Sequence, residues 1–117
     1  MKVVTTGSRD WRDRQVIMEA LLRLPIDSTV IHGGCRGADA LVDYTAKSLG
    51  LTVVEVPAEW RLGRKAGPLR NRKMLDMSPD KVIAFCLNSS PGTMDCVMEA
   101  MVRGIEVELH ENNNRIA

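Results

Sequence analysis

Hydrophobic and polar positions along this chain switch repeatedly between two periods. Residues 2–6 form an apolar, β-branched run that predicts a first strand, Lys2–Thr6. Asp13–Leu24 then places Val16, Ile17, Ala20, Leu21 and Leu24 on one helical face, and Pro25 ends the pattern. A short strand is predicted over Thr29–His32. The helical spacing returns over Ala38–Leu49 through Ala38, Leu41, Val42, Thr45 and Leu49, with Gly50 as the stop behind it. Thr52–Val56 predicts a third strand, closed by Pro57. A helix is predicted over Leu69–Met77, starting after Gly67-Pro68, because a proline lacks only an N–H that a first turn does not use. Lys81–Phe85 predicts a fourth strand, Thr93–Arg103 a helix with Gly104 behind it, and Ile105–Leu109 a fifth strand. Residues 111–117, with three consecutive asparagines, carry no pattern and are expected to fray.

Strands that are apolar throughout, and that alternate with helices, call for a sheet covered on both faces. The expected fold class is therefore α/β: a Rossmann-like three-layer α/β/α domain over residues 1–110, with a doubly wound, mostly parallel five-stranded sheet. Such sheets bind ligands beyond the carboxyl ends of their strands, where the strand order reverses.

Composition narrows the setting. The 117 residues suit one domain, and 44% apolar with 26% charged residues is ordinary for a protein that packs a core in water. Apolar runs of a few residues are far short of the roughly 20 needed to span a bilayer, so no membrane partner is expected. The N-terminal run reads as a strand and not a signal peptide. Three cysteines, Cys35, Cys86 and Cys96, form no C-x-x-C pair, so free thiols in a reducing cytoplasm are expected. With two histidines there is no zinc-ligand spacing, and neither a metal nor a cofactor is expected. The net charge of +1 conceals an asymmetry: residues 61–73 carry six basic side chains and no acidic one, while the other ten basic residues face all fifteen acidic ones. That balance suggests a local anion site and not a whole-surface DNA binder.

The two ends of the expected sheet differ. Turns from helix to strand are plain (Pro25–Ser28, Gly50-Leu51, Ser78–Asp80, Gly104). Turns from strand to helix gather glycine, hydroxyl and arginine residues: Gly7-Ser8-Arg9-Asp10-Trp11, Gly33-Gly34-Cys35-Arg36-Gly37-Ala38-Asp39, the long 57–67 segment, and Ser89-Ser90-Pro91-Gly92-Thr93. Glycines let backbone N–H groups approach a ligand. Helix N-termini at Ala38 and Thr93 favour phosphate. Arg9, Arg36 and Arg72 suit bidentate phosphate contacts. Asp39 or Asp95 suits ribose hydroxyls, unless Asp39 only satisfies its own helix start. Trp11 or Trp60 offers a stacking surface, against the plainer reading of both as half-buried wedges. His32 reads as a satisfied core histidine. Cys35 and Cys96 sit at or near helix starts, which would lower a thiol pKa, but no general base at a readable spacing supports a nucleophile. Met94, Met98, Met101 and Val102 give the last helix a second apolar face beside Val97 and Ala100, for which a homodimer is the favoured cover.

These motifs, together with Pro57-Ala58-Glu59-Trp60, Ala66-Gly67-Pro68-Leu69-Arg70-Asn71-Arg72-Lys73-Met74, Ala84-Phe85 and Pro91-Gly92-Thr93-Met94-Asp95, occur in the order seen in the YspA/YpsA-like branch of the SLOG superfamily. The chain resembles that branch to about Ile105. The superfamily includes DNA-processing protein A (DprA) and the LOG phosphoribohydrolases, and stand-alone members of the branch come from phages and bacteria. The resemblance implies a Rossmann-like fold and a nucleotide or nucleic-acid ligand. It points to Gly7, Ser8 and Arg9 in a first pocket loop, Gly33, Gly34, Arg36, Gly37 and Asp39 in a second, Arg70, Asn71 and Arg72 in a third, and Gly92 and Thr93 in a fourth.

LOG enzymes carry a Gly-Gly-x-Gly-Thr-x-x-Glu run whose glutamate assists N-glycosidic cleavage. Here that position falls on Cys96, with Asp95 one residue early and Glu99 one turn late. Three readings follow. The first is binding of a nucleotide or an ADP-ribose-like derivative, with sequestration of such a signal if the chain is phage-borne. The second is a nucleoside-monophosphate phosphoribohydrolase with Asp95 or Glu99 as the catalytic carboxylate and Arg72 on the 5′-phosphate. The third is DprA-like binding of single-stranded DNA through the basic segment.

Overall fold

The computed structural model describes residues 1–112 of the chain. Its elements run in chain order as β1 (Lys2–Gly7), α1 (Arg14–Leu22), β2 (Thr29–His32), α2 (Ala38–Ser48), β3 (Thr52–Glu55), a 3-10 segment (Trp60–Lys65), α3 (Ala66–Leu75), β4 (Lys81–Leu87), α4 (Pro91–Val102) and β5 (Glu106–Asn112). The five strands form one sheet in the order β3-β2-β1-β4-β5, and every pair is parallel. The order reverses between β1 and β4, which pair from Val3↔Lys81 to Gly7↔Phe85.

Alternation along β1 divides the core into two layers. Val3 joins Ile17 and Leu21 of α1, Val42 and Ala46 of α2, and Val30, Ile83 and Phe85 of the sheet. Val4 faces the opposite way, to Met74 and Leu75 of α3 and Cys96 and Ala100 of α4. Both faces of the central strands are thus dry, which explains their lack of polar alternation. The structure is the expected doubly wound, three-layer α/β/α sheet of Rossmann-like type.

Helix ends follow local chemistry. Asp13 is the N-cap of α1, its carboxylate accepting the Val16 N–H at 3.3 Å, and so lies one residue outside the helix it was expected to begin. Gly50 and Gly104 adopt φ of 78° and 73° behind α2 and α4, the left-handed stop expected of both. Several boundaries differ from expectation. α3 begins at Ala66, with Gly67 and Pro68 inside its first turn, where the missing proline N–H still has no helical partner to lose. The 57–67 segment is not all loop, since residues 60–65 form a 3-10 turn interrupted at Gly63. β4 runs to Leu87 and β5 to Asn112, because the two strands pair as far as Leu87↔Asn112. Glu111 and Asn112 therefore belong to β5, and the remainder of the tail expected to fray, residues 113–117, lies outside the described residues. Among the described residues no helix is long and apolar enough to cross a membrane.

Candidate functional site

A cleft of about 750 Å³ opens at the carboxyl ends of β1 and β4, where the strand order reverses. This volume is in the range of small-molecule sites. Its lining comes from every strand-to-helix junction that the sequence singled out, although Gly33, Gly34 and Gly37 are not among the lining residues: Thr6–Asp10, Cys35, Arg36 and Asp39, Trp60 and Arg64, Gly67, Pro68, Arg70 and Asn71, and the stretch from Leu87 and Asn88 through Ser90–Thr93 to Asp95.

Ser8 fastens three of these junctions together. Its N–H donates to the Phe85 carbonyl at 2.9 Å, and its own carbonyl accepts from Trp11 and Ala38 N–H groups at 3.2 and 3.1 Å. Its hydroxyl accepts the Leu87 N–H at 2.7 Å and meets the Ser90 hydroxyl. Gly37 lets the second junction come this close. A Cβ there would stand 2.2 Å from the Arg9 carbonyl oxygen, and its φ of 74° is left-handed. Gly7 is likewise packed against Ala38. Gly7, Gly33 and Gly37 thus let the walls meet, while Gly34 lies in a smaller hollow beside the cleft with Arg9, Cys35, Arg36 and Trp60.

The floor is polar and ordered. Arg70, expected in the third pocket loop, is buried in this floor. Its Nη1 donates to the Gly33 carbonyl at 2.7 Å and its Nε to Asn71 Oδ1 at 3.0 Å. Asn71 Nδ2 in turn donates to Asp95 Oδ2 at 3.0 Å and the Gly92 carbonyl at 3.3 Å. This Arg70–Asn71–Asp95 chain ties α3 to α4 beneath the cleft. Asp39 is 5% exposed. Its Oδ2 accepts the Cys35 N–H at 3.2 Å, and its Oδ1 is buried with no hydrogen-bond partner among the described residues. Burial raises the Asp39 carboxyl above its usual range, partly offset by the Cys35 N–H and by His32 and Arg70 nearby.

The rim carries the free charge. Arg9 lies over the Trp60 ring, its guanidinium carbon 5.1 Å from the centroid. Arg36 is well exposed and only 3.8 Å from Asp10, a weak pair in water. Arg64 also borders the opening. Arg72 does not: its Nη1 donates to the Pro68 carbonyl at 3.1 Å and its Nη2 lies 3.4 Å from Glu99, beside a separate hollow of about 220 Å³ lined by Pro57, Leu62, Leu69 and Lys73. Glu99 also pairs with Arg103 at 3.0 Å and does not line the cleft. The expected juxtaposition of Arg9, Arg36 and Arg72 is therefore reduced to Arg9 and Arg36, and of the two carboxylates considered for catalysis only Asp95 lines the cleft.

Two helices start at this rim. α2 has Asp39 in its first turn, whereas the first turn of α4 has no acidic residue. At α4, Ser90 donates its hydroxyl proton to Thr93 Oγ1 at 2.9 Å, and no side chain caps the helix.

Cys86 and Cys96 are buried in the core, whereas Cys35 is half-buried in the cleft wall. Burial, followed by the Asp95 charge, pushes the Cys96 thiol up to about 12, opposite to the lowering expected of a helix start. His32 is buried as expected. Its Nδ1 accepts the Gly34 N–H at 2.9 Å, which leaves Nε2 to carry the proton toward Asp43 at 2.9 Å. Glu55 lies close enough to His32 and Asp43 for the three to surround a cation, but both imidazole nitrogens are engaged and Lys47 holds Asp43 at 2.9 Å. Trp11 is a buried wedge, its indole N–H on the Asp13 carbonyl at 2.9 Å and its ring tilted against Phe85. Trp60 is 53% exposed. The sequence did not single out Thr6, Asp10, Arg64 or Leu87 as cleft residues. Asp10 and Arg64 could have been found from their place in the same loops.

A sequence model described as "YspA, cpYpsA-related SLOG family" matches residues 1–63. The chain belongs to this family. It is also 40% identical over 116 residues to the Gene 61 protein of Mycobacterium phage D29, with 91% of this chain and 93% of that protein covered. This SLOG chain therefore shares its fold and nearly its full length with a phage protein, whose name carries no ligand.

Proposed function

We propose that the cleft of this SLOG protein binds a nucleotide or a nucleotide-derived, ADP-ribose-like ligand. One observation carries the reading: the cleft pairs an acidic floor with an anion-seeking rim. Asp39 and Asp95 below accept hydrogen bonds from sugar hydroxyls. The uncapped start of α4 at Gly92 and Thr93, with Arg9 and Arg36 across the opening, receives phosphate. A simple anion would meet the carboxylates, and a neutral sugar would leave the helix start and arginines unused. A ribose phosphate matches both.

The hydrolase reading is second. Asp95 lines the cleft, but one of its oxygens is taken by Asn71, and neither Glu99 nor Arg72 lies in the cleft to share the work. Oligonucleotide binding is third. The six cations of residues 61–73 diverge: Arg64 borders the cleft, Arg70 is buried under it, Arg72 and Lys73 border the other hollow, Arg61 pairs with Glu59, and Lys65 is exposed and lines neither opening. They make no continuous track for a phosphate backbone.

A phage relative suits sequestration of a nucleotide signal in a host cytoplasm, where the three free thiols would stay reduced. Met98, Met101 and Val102 are exposed on α4, and we assign that face to a second copy of the chain. Substituting Met98→Glu would then give monomers by light scattering.

Thermal shift against ribose 5-phosphate, AMP and ADP-ribose tests the ligand class. A ligand at 100 times its Kd adds about 2.7 kcal/mol of stability. Binding without release of free base by chromatography fits the first reading. Base release lost in Asp95→Asn would establish the second, and a salt-dependent response to oligonucleotides alone the third.

A further inference from the structure

We propose that Trp60 is the platform on which the ligand's base stacks, and that Arg9 is displaced from the ring when the base arrives and turns to the phosphate. The inference rests on the nucleotide reading and adds to it that the ligand is recognised through its base.

The two tryptophans are chemically unlike in this fold. Trp11 is 4% exposed, with its N–H satisfied and its ring against Phe85. Trp60 stands 53% exposed at the lip shared by the cleft and the adjoining hollow. Its ring edge overhangs Gly67 at the start of α3, where a Cβ would lie 4.0 Å from Cη2, so the ring is steadied without being enclosed. The partner over its face is the Arg9 guanidinium, at 5.1 Å. A planar cation thus occupies the position that a planar base would take.

The exchange runs downhill. An exposed cation–π contact is worth roughly 2- to 5-fold in an equilibrium, whereas a base stacked on an aromatic ring is worth roughly 5- to 150-fold in affinity. Arg9 is exposed, and the cleft it borders contains the open start of α4, so a guanidinium leaving the ring has an anion to meet once a phosphate is seated there. The backbone permits the adjustment. None of residues 60–65 is buried, and the turn is broken at Gly63 with φ 73°, which separates the Trp60 end from the packed helix α3.

Calorimetric titration of the full chain with AMP, ADP-ribose and ribose 5-phosphate tests this directly, with Trp60→Ala, Trp60→Phe and Arg9→Ala beside wild type. Trp60→Ala should weaken AMP and ADP-ribose by about 10- to 100-fold and leave ribose 5-phosphate within about 2-fold. Trp60→Phe should recover part of the loss. Arg9→Ala should weaken all three, but ribose 5-phosphate most, because removing the guanidinium also uncovers the ring. Equal losses for base-bearing and base-free ligands in Trp60→Ala, or no loss at all, overturn the platform while leaving the phosphate site standing. If wild-type protein binds none of the three, the nucleotide reading falls and the platform with it.

Discussion

Helices α2 and α4 begin on opposite sides of one cleft, one after the glycine-rich turn Gly33-Gly34-Cys35-Arg36-Gly37 and the other after the hydroxyl-bearing turn Asn88-Ser89-Ser90, and the sequence marks both starts as favourable to phosphate. Their electrostatics differ. The start of α2 is already answered from within: Asp39 lies in its first turn and accepts the Cys35 N–H, and Gly37 presses the turn against the Arg9 backbone. The start of α4 has no acidic residue, its Ser90 hydroxyl is turned to Thr93, and its helix dipole faces the opening. On the proposed function, one junction is a wall and the other a receptor, and a phosphate-favouring sequence pattern becomes a phosphate site only where the protein has not placed a carboxylate of its own.

The comparison predicts separable losses. Gly37→Ala should be the most damaging, costing on the order of 3 kcal/mol or more, because a left-handed φ combines with a Cβ 2.2 Å from a backbone oxygen. Denaturant melts without ligand would read it. Arg70→Met comes next, at about 2–3 kcal/mol, since it strands the buried Gly33 carbonyl and unties Asn71. Equal stability of wild type and this variant would make the floor dispensable.

Asp39→Asn sharpens the contrast through pH. A carboxyl whose pKa is raised by folding contributes most below its unfolded value near 3.8, and that contribution is lost as pH rises through the folded value. The amide variant should therefore gain on wild type as pH climbs above 4, in paired urea melts. A constant difference across that range would mean that burial does not govern this group.

Arg36→Ala and Arg72→Ala form the mildest pair. The first should weaken phosphate ligands by about 3- to 10-fold, as the loss of one charge-assisted contact. The second should leave affinity unchanged, because Arg72 faces Glu99 beside the other hollow. Far from both junctions, Glu108 provides a control. Burial opposes its charge, but hydrogen bonds from His110 and Lys81 outweigh burial and hold it at about 2. Its contribution is present above the ordinary glutamate range and lost as pH falls toward that value, with no effect on ligand affinity.

The layers, the parallel sheet and the loops that meet at its carboxyl edge were legible because they depend on spacing and on glycine or proline chemistry. Gly50 and Gly104 stop helices as expected. The roles of individual side chains were not legible, because they depend on helix phase and depth. Arg70 and Arg72 are two positions apart, roughly 200° around a helix, so one runs under the cleft and the other away from it. Asp95 and Glu99 share a helix face, but one turn takes Glu99 about 6 Å further from the opening. Cys96 sits near a helix start, where the dipole favours a thiolate, yet complete burial prevails. Neighbours several elements away decide each of these, and no local pattern encodes them.

The central claim is that α4's open start holds the phosphate, and Gly92→Asp tests it most directly. A Cβ at Gly92 meets nothing within 4 Å, so the side chain fits, and the new carboxylate gives α4 what Asp39 gives α2. The account predicts that this variant folds with unchanged or slightly higher stability, by about 0.5 kcal/mol. It also predicts at least 100-fold weaker calorimetric binding of ribose 5-phosphate, AMP and ADP-ribose. A stable Gly92→Asp protein that binds these ligands as wild type does would contradict it.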